Sequence, residues 1–327
     1  MNKDLKEQIV DLVSPDLEKV EQALEENLYP HLDLVKQIAS HLLFSGGKRL
    51  RPLLFVYAAR MCGYKGTNEV LFSIIFEYLH AATLLHDDVV DGADMRRGRP
   101  AAHTRWPAPQ VVLTGDFLLA RALDIAAGTK EPRVISVIAK ITQDMSQGEI
   151  AQLAQKGRKD LTEAQYLDII ERKTAVLIQG ACQCAAILAK VSRQKENALK
   201  SFGFHLGMAF QMADDLLDYT ATAEQLGKNP GADMREGKLT LPLIYSLARA
   251  CPKDREWMES LMANPEVDPD QFKKLQEKLV ALNAIAYTQA IARNHVDNAK
   301  KNLEIYDSSL SKSVLTLIAD YAVYRKI

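Results

Sequence analysis

The chain is poor in cysteine and carries almost no net charge. It has four cysteines in 327 residues. Cys182 and Cys184 are two residues apart and point away from each other on a helix. No zinc-type spacing is present, so we expect reduced core cysteines in a cytoplasmic protein. The 41 basic and 42 acidic residues leave a net charge of −1, which argues against a nucleic-acid binder that depends on bulk positive charge.

Long apolar runs are missing as well. The longest uncharged stretch lies between Lys173 and Lys190, and it is shorter than the ~20 residues that a membrane helix needs. Residues 1–13 are charged and amphipathic, which is not the pattern of a signal peptide. We therefore expect no transmembrane segment.

The sequence also has few strand-type alternations and no Gly/Ser-rich or Pro-rich linker. We predict an all-α protein with a single domain over residues 1–327. Polar breaks are expected at 92–105 and 227–237. The predicted helices cover residues 16–28, 32–43, 51–62, 68–91, 108–127, 133–155, 162–190, 195–219 and 239–249.

Two aspartate-rich motifs stand inside apolar stretches. The first contains Asp87, Asp88 and Asp91, and the second contains Asp214, Asp215 and Asp218. Residues four apart share a helix face, so the first and last aspartates of each motif should converge. Carboxylates on a buried face need a positive partner. Two such faces turned toward each other would suit Mg²⁺, a hard cation that prefers oxygen ligands.

Basic motifs accompany the aspartates. Met95-Arg96-Arg97-Gly98-Arg99-Pro100 follows the first motif, and its guanidinium groups could hold a metal-bound diphosphate. Residues 46–52, Gly-Gly-Lys-Arg-Leu-Arg-Pro, pair two glycines with three cations and predict a second phosphate pocket. His80 lies two helical turns before Asp87, as either a core residue or a phosphate donor.

A third group of polar residues surrounds the second motif. Lys173 and Thr174 begin the long uncharged stretch, and Gln211 precedes Asp214 by about one turn. The lysine could simply extend its ammonium group to solvent. Lys228 and Lys238 follow the second motif closely enough to fold back over a bound anion.

Together these motifs resemble the trans-isoprenyl diphosphate synthases, the polyprenyl synthetase family. The likeness runs over residues 44–244 and also includes Gly115-Asp116 and Gln147-Gly148-Glu149. The resemblance implies an all-α, isoprenoid-synthase-type helical bundle around a central cavity, usually a homodimer. The implied reaction joins isopentenyl diphosphate to an allylic diphosphate with Mg²⁺. The protein could also contact a membrane surface to release its product.

The resemblance also implies a role for each motif. The six aspartates would serve Mg²⁺ ions, with Asp87 and Asp91 on one wall and Asp214 on the opposite wall. Lys173, Thr174 and Gln211 would be the catalytic group, the last two near the developing allylic cation. The implied contacts of isopentenyl diphosphate are Gly47, Lys48, Arg51, His80 and Arg97. The implied contacts of the allylic diphosphate are Arg96, Lys173, Thr174, Gln211, Lys228 and Lys238.

Product length should depend on the helix before the first motif. Ala82 and Thr83 are small, so the mouth of the product tunnel is open, and Leu79, Tyr78, Phe76 or Ile75 could form a floor deeper down. The two-residue spacer between Asp88 and Asp91 resembles the long-chain branch. We therefore expect an octaprenyl-type product that serves as a quinone side-chain precursor.

Several alternatives remain open. The first is a short- or medium-chain synthase that makes farnesyl or geranylgeranyl diphosphate. A class I terpene cyclase needs no second diphosphate pocket, so residues 46–52 and His80 argue against it. A non-catalytic subunit would be free to lose its aspartates, and this chain keeps both sets. A helical scaffold would not explain the arginines and lysines.

Overall fold

The fold is built almost entirely of helices, as the sequence predicts. The computed structural model describes residues 4–221, 230–262, 264 and 267–324. The helices are α1 (Leu5–Glu26), α2 (Asp33–Leu43), α3 (Leu50–Met61), α4 (Glu69–Asp91), α5 (Ala108–Gly128), α6 (Pro132–Gln155), α7 (Glu163–Ile170), α8 (Val176–Leu188), α9 (Arg193–Thr220), α10 (Ala232–Arg235), α11 (Leu241–Arg249), α12 (Pro252–Met262), α13 (Pro269–Ala281), α14 (Ala284–Asn302) and α15 (Leu310–Tyr324).

Two compact units make up the described part of the chain. The first draws on Met1–Lys140, Leu177–Lys200 and Leu303–Ile318, and the second on Ile141–Val176, Ser201–Asn302 and Ala319–Ile327. The single domain predicted from sequence stays a prediction.

The core of the first unit forms around α4. This helix packs against α5, α3 and α1. Its apolar residues are buried on almost every side, and Phe76 packs against Phe55 of α3 with ring centroids 5.7 Å apart. A helix that is apolar all round is stable only inside a core. The end of α4, which carries the first aspartate motif, is therefore held rigidly.

The core of the second unit forms around α11. This helix contacts α14 and α7. Pro242 lies in its first turn, where a proline costs no helical hydrogen bond, as the sequence predicts. Tyr219, near the end of α9, stacks on Phe272 with ring centroids 6.4 Å apart. This packing fixes the end of the helix that carries the second aspartate motif.

The start of the first helix was predicted wrongly at residue 16, because the helix begins eleven residues earlier. Helix α1 starts at Leu5 and continues through Pro15, although an interior proline normally breaks or kinks a helix. Its buried residues Val13, Val20 and Leu24 lie at helical spacing, and Asp16 pairs with Arg60 of α3 at 2.7 Å. Tertiary packing therefore outweighs the local cost of the proline.

Three other segments differ from the prediction. The predicted loop 227–237 contains the short helix α10, Ala232–Arg235. The predicted loop 92–105 contains a short antiparallel pair, β1 (Met95–Arg96) with β2 (Arg99–Pro100), and a 3₁₀ turn at Ala102–Thr104. The predicted single helix 162–190 is interrupted by a π-helical turn at Glu171–Ala175.

The cysteines agree only in part with their prediction. All four are free. Cys182 and Cys184 are buried core residues, but Cys251 is exposed, so it is not a core residue. Within the described residues, no helix is both long and apolar enough to span a bilayer.

Candidate active site

Both aspartate motifs lie on helices, as their spacing predicts. Asp87 and Asp91 occupy the last two turns of α4, and Asp214 and Asp218 lie on α9. Gly92, with a φ of 64°, takes the left-handed conformation that ends α4 directly after the motif. The C-terminal end of a helix favours cations, because its carbonyl groups point outward.

Asp88, the middle aspartate of the first motif, contacts an arginine. It is buried, and its Oδ1 accepts a hydrogen bond from Arg96 Nε at 2.7 Å and a second one from Nη2. Its Oδ2 is buried without a hydrogen-bond partner. Arg96, expected on the allylic diphosphate, is therefore held against the first motif by a charge-assisted contact.

In the second motif, two aspartates stabilise the protein around them. Asp218 accepts hydrogen bonds from the backbone N–H groups of Ala232 and Asp233, at 3.2 Å and 3.1 Å, and so satisfies the first turn of α10. Asp215 accepts hydrogen bonds from Tyr166 Oη at 2.6 Å and from Gln211 Nε2 at 2.8 Å. Both carboxylates are buried, so these partners offset their loss of hydration.

The pKa of the Asp215 carboxyl group differs strongly from its usual value. Burial raises the pKa of Asp215 to about 8, and the neighbouring charge of Asp233 acts in the same direction. The bonds from Tyr166 and Gln211 oppose this shift, because they favour the ionised form. A cation near the carboxylate would favour ionisation further.

The aspartates suit a hard cation by their chemistry. Their donor atoms are all carboxylate oxygens on rigid helices, and the buried Oδ2 of Asp88 has no protein partner. In the described chain, no three His, Cys, Asp or Glu side chains already form a cation site. The donor type therefore fits Mg²⁺, and the role of each aspartate as a ligand stays a prediction.

The glycine-rich loop between α2 and α3 has the backbone conformation that its glycines allow. Gly46 and Gly47 have φ values of 99° and 154°, which other residues rarely adopt. Arg97 donates from Nη1 to the carbonyl of Gly46. A Cβ at Gly47 would lie 3.2 Å from this same nitrogen. The loop and the basic segment after α4 are therefore in contact, and Lys48 is exposed beside them.

His80 shares the neighbourhood of these cations. Burial and the nearby guanidinium groups of Arg51, Arg97 and Arg96 hold the pKa of His80 well below its usual range. The ring is therefore neutral at pH 7 and can donate one N–H to an anion without carrying a charge. The residues expected on isopentenyl diphosphate thus lie in one region of the first unit.

The π-helical turn carries the pair Lys173 and Thr174. Such turns are rare and often lie at functional sites. Lys173 forms an ion pair with Glu149 of α6, whose other oxygen, Oε1, is buried without a hydrogen-bond partner. Thr174 donates to Gln211 Oε1 at 2.7 Å. A continuous chain of hydrogen bonds therefore runs from Thr174 through Gln211 to Asp215.

Two glycines allow neighbouring helices to approach this turn. A Cβ at Gly148 of α6 would lie 2.9 Å from the backbone nitrogen of Lys173. A Cβ at Gly207 of α9 would lie 2.5 Å from the Cα of Ala175. Both distances are shorter than ordinary carbon contacts, so only glycine fits at either position without a shift of the backbone.

The predicted catalytic residues line one cavity of the second unit. Lys173, Thr174, Gln211 and Lys238 face a cavity of about 150 Å³, together with Asp215. Lys238 also pairs with Glu236 at 2.8 Å. Lys228 lies outside the described residues.

The residues expected to set product length lie on α4. Ala82, Leu79 and Tyr78 are buried, and Tyr78 donates its hydroxyl to the carbonyl of Leu24 at 2.7 Å. Thr83 is half-buried and donates to the carbonyl of His80 at 2.8 Å. Tyr78 and Ala82 share one helix face, whereas Leu79, Thr83 and Asp87 share another.

Sequence reasoning missed three contributors to this site. Tyr166 and Asp233 line the cavity and act on Asp215, but nothing in their local sequence marks them. Glu149 belongs to a motif noted in the sequence without a role, and its acidic side chain next to a glycine was the available signal.

Known proteins are similar to this chain over most or nearly all of its length. The family profile described as "Polyprenyl synthetase" matches residues 32–279. Octaprenyl diphosphate synthase of Escherichia coli (strain K12) is 35% identical over 319 residues, which cover 98% of each chain. Geranylgeranyl diphosphate synthase of Methanosarcina mazei is 30% identical over 324 residues, which cover 97% of this chain and 98% of the relative.

A solved structure extends the similarity to the fold. The polyprenyl synthase from Caulobacter crescentus CB15, complexed with calcium and isoprenyl diphosphate, superposes with a TM-score of 0.92. It is 37% identical, and the alignment covers 100% of both chains.

Proposed function

Because the chain belongs to the polyprenyl synthetase family and is a trans-prenyl diphosphate synthase, we propose that it condenses isopentenyl diphosphate with an allylic diphosphate to make a long-chain, all-trans product. The observation that supports this most is the hydrogen-bonded chain Thr174–Gln211–Asp215, which includes an aspartate of the second motif. A binding or scaffold protein would need the aspartates but not this polar chain.

Magnesium is the proposed cofactor. When bound, it neutralises the charge that develops on the departing diphosphate. Asp87, Asp91 and Asp214 are the proposed principal ligands. Asp88 orients Arg96. Asp215 and Asp218 accept hydrogen bonds from Tyr166 and Asp233, and so connect α9 to the wall of the cavity.

The basic region of the first unit is the proposed pocket for isopentenyl diphosphate. Lys48, Arg51 and Arg97 supply charge, and neutral His80 supplies one directed hydrogen bond. The backbone of Gly47 lets an anion approach closely. Holding this substrate in place lowers the entropy cost of attack on the allylic carbon.

The cavity residues of the second unit are proposed to act on the allylic partner. Lys173 holds the diphosphate, while Glu149 fixes the direction of its ammonium group. The oxygen dipoles of Thr174 and Gln211 stabilise the developing allylic cation, and the apolar lining excludes water. Attack by the alkene forms the new C–C bond and leaves a cation on the isopentenyl unit. The released diphosphate takes the proton from the adjacent carbon as the new double bond forms, since no His or Glu side chain is assigned to that role.

The proposed product is octaprenyl diphosphate, a quinone side-chain precursor. Small Ala82 leaves the tunnel open near its mouth, and buried Tyr78 forms the floor. Each added isoprene unit buries five carbons at roughly 0.8 kcal/mol per CH₂, which favours elongation as far as the tunnel extends. A farnesyl- or geranylgeranyl-length product is the alternative, supported by the similarity to the geranylgeranyl synthase.

We further propose a cytoplasmic homodimer that contacts a membrane surface only to release its product. The apolar tail of a long-chain product costs free energy in water, so transfer at a lipid surface is favourable.

The test is product formation from radiolabelled isopentenyl diphosphate and farnesyl diphosphate, with chromatographic sizing of the chains. We expect long-chain product with Mg²⁺ and none with a chelator. Absence of product under both conditions would refute the proposed activity. A product that stops at geranylgeranyl length would refute only the proposed chain length.

A further inference from the structure

The basic loop between α2 and α3 contains one cation that faces away from solvent. Arg49 is 2% exposed, whereas Lys48 directly before it is exposed. The Arg49 guanidinium donates to Glu21 Oε1 at 2.6 Å, to Glu77 Oε1 at 2.8 Å and to the carbonyl of Leu43 at 2.5 Å. A buried arginine is tolerated only when its donors are paired, and here two carboxylates and a carbonyl pair them.

The backbone of Arg49 is as unusual as its side chain. Its φ of 46° and ψ of 35° are left-handed, a conformation that few residues other than glycine adopt. The carbonyl of Arg49 then accepts the first helical hydrogen bond of α3, from Leu53 N at 3.1 Å. The inward turn at this residue therefore sets where α3 begins and where Lys48 and Arg51 lie.

The guanidinium also supports the glycine loop from inside. A Cβ at Gly47 would lie 3.2 Å from Arg49 Nη1, and equally 3.2 Å from Nη1 of Arg97. The Cβ side of Gly47 thus faces two guanidinium groups, that of buried Arg49 and that of exposed Arg97. Displacement of the Arg49 side chain would remove the inner support of the loop.

Glu77 contacts Arg49 and also affects the pKa of a cation in the pocket, Arg97. It is buried, lies one turn before His80 on α4 and binds Arg49 directly. Burial lowers the pKa of Arg97, the charge of Glu77 opposes this shift, and the charges of Arg49 and Arg96 add to it. Glu77 therefore offsets the mutual repulsion of the guanidinium groups before an anion binds.

We propose that Arg49 is a positioning residue of the isopentenyl diphosphate pocket, an inference that rests on the proposed function. Held by Glu21 of α1 and Glu77 of α4, it fixes the left-handed turn that presents Lys48 and Arg51 to the diphosphate. It does not touch the substrate itself.

Helix α3 supplies a matched control at its other end. Arg60 pairs with Asp16 of α1 at 2.7 Å and with Glu69 of α4 at 3.4 Å. Arg49 and Arg60 therefore join the same three helices, but only Arg49 adjoins the glycine loop. If Arg49 contributed only to helix packing, substitution of Arg60 would have the same effect as substitution of Arg49.

The test compares Arg49→Lys with Arg60→Lys. Lysine keeps the charge but cannot form the three-way contact of a guanidinium. For Arg49→Lys we expect the KM for isopentenyl diphosphate to rise at least tenfold, with kcat and the KM for the allylic diphosphate within threefold. Arg60→Lys should leave both KM values within threefold at a similar Tm. Equal changes in the two variants would overturn the inference. Glu77→Gln, which keeps the side-chain shape, should repeat the Arg49→Lys result.

A second measurement needs no turnover. Calorimetry with inorganic diphosphate in a chelating buffer reports the basic pocket alone, so it stands even if the proposed activity fails. We expect Arg49→Lys to weaken this binding at least fivefold relative to Arg60→Lys. Equal affinities in the two variants, or no affinity in the unaltered protein, would contradict the positioning role.

Discussion

His205 and His295 form a contact that makes stability depend on pH. Their Nδ1 atoms are 2.9 Å apart, so one ring donates and the other accepts, which requires the accepting ring to be neutral. Burial lowers the pKa of His205, and burial together with the neighbouring ring lowers the pKa of His295 to about 4. The unfolded chain, with ordinary histidine pKa values near 6.5, therefore binds protons before the native state does.

The first prediction follows from this difference. Titration of His205 and His295 should not change the free energy of unfolding above pH ~6.5. The free energy of unfolding should fall as the pH decreases from there toward about 4. His295→Asn removes one titrating ring, so its free energy of unfolding should depend less on pH over this interval. Urea unfolding at pH 7, 6 and 5 measures the effect. A slope identical to that of the unaltered protein would contradict the assignment.

At the scale of elements, the π-helical turn at Glu171–Ala175 is the feature most closely tied to the chemistry. It places Lys173 and Thr174 on the cavity and depends on close approach by Gly148 and Gly207. An ordinary α-helix through the same residues would rotate these side chains away from their partners on α6 and α9.

The second prediction concerns Gly207→Ala. The added Cβ would lie 2.5 Å from Ala175 Cα, so the turn must shift and Thr174 must lose its bond to Gln211. We expect turnover to fall about 100-fold, equivalent to roughly 2.7 kcal/mol in the barrier. Gly128→Ala is the control, because nothing lies within 4 Å of its added Cβ. Steady-state kinetics with similar activity in the two variants would exclude this role of the turn.

The third prediction concerns product length. Ala82→Phe fills the face of α4 that it shares with Tyr78, so the main product should shorten by several isoprene units. Overpacking of a buried position should also cost about 1–3 kcal/mol of stability. Ala82→Ser, which conserves the volume, should leave the length unchanged. If chromatographic sizing finds the same product in all three proteins, a different face of α4 lines the tunnel.

The sequence predicted the positions of most elements because helical spacing of apolar residues dominates it. The aspartate pairs and Pro242 lie where that spacing places them. It could not predict the extension of α1 through Pro15, since the compensating packing comes from α3. The π-helical turn could not be predicted either. The close approach of α6 and α9 to this turn depends on Gly148 and Gly207, which are far from it in sequence.

The roles of the candidate site residues stay predictions, although the sequence identified several residues that line the cavity of the second unit. The resemblance supplied Lys173, Thr174 and Gln211, and these residues do meet in one cavity. The run Gly-Gly-Lys-Arg-Leu-Arg predicts a phosphate pocket with three cations, but only the structure reveals that Arg49 is buried and contacts Glu77. Tyr166 has no sequence signal, since its partner Asp215 is defined by tertiary structure alone.

At the scale of the whole molecule, the fourth prediction is the assembly state. The chain has a mass of 36.5 kDa. As a homodimer it should sediment with twice that mass at micromolar concentration, with or without Mg²⁺. Sedimentation equilibrium measures this directly. A single monomeric species across the concentration range would refute the proposed dimer while leaving the chemistry in place.

Each aspartate motif is proposed to contribute to magnesium-dependent binding of the allylic diphosphate. The most direct measurement is calorimetric binding of a non-hydrolysable allylic thiodiphosphate to the unaltered protein, to Asp87→Asn and to Asp214→Asn. The account predicts tight binding only with Mg²⁺, and at least tenfold weaker binding in each variant. Tight binding in a chelating buffer, or affinity unchanged by Asp214→Asn, would contradict it.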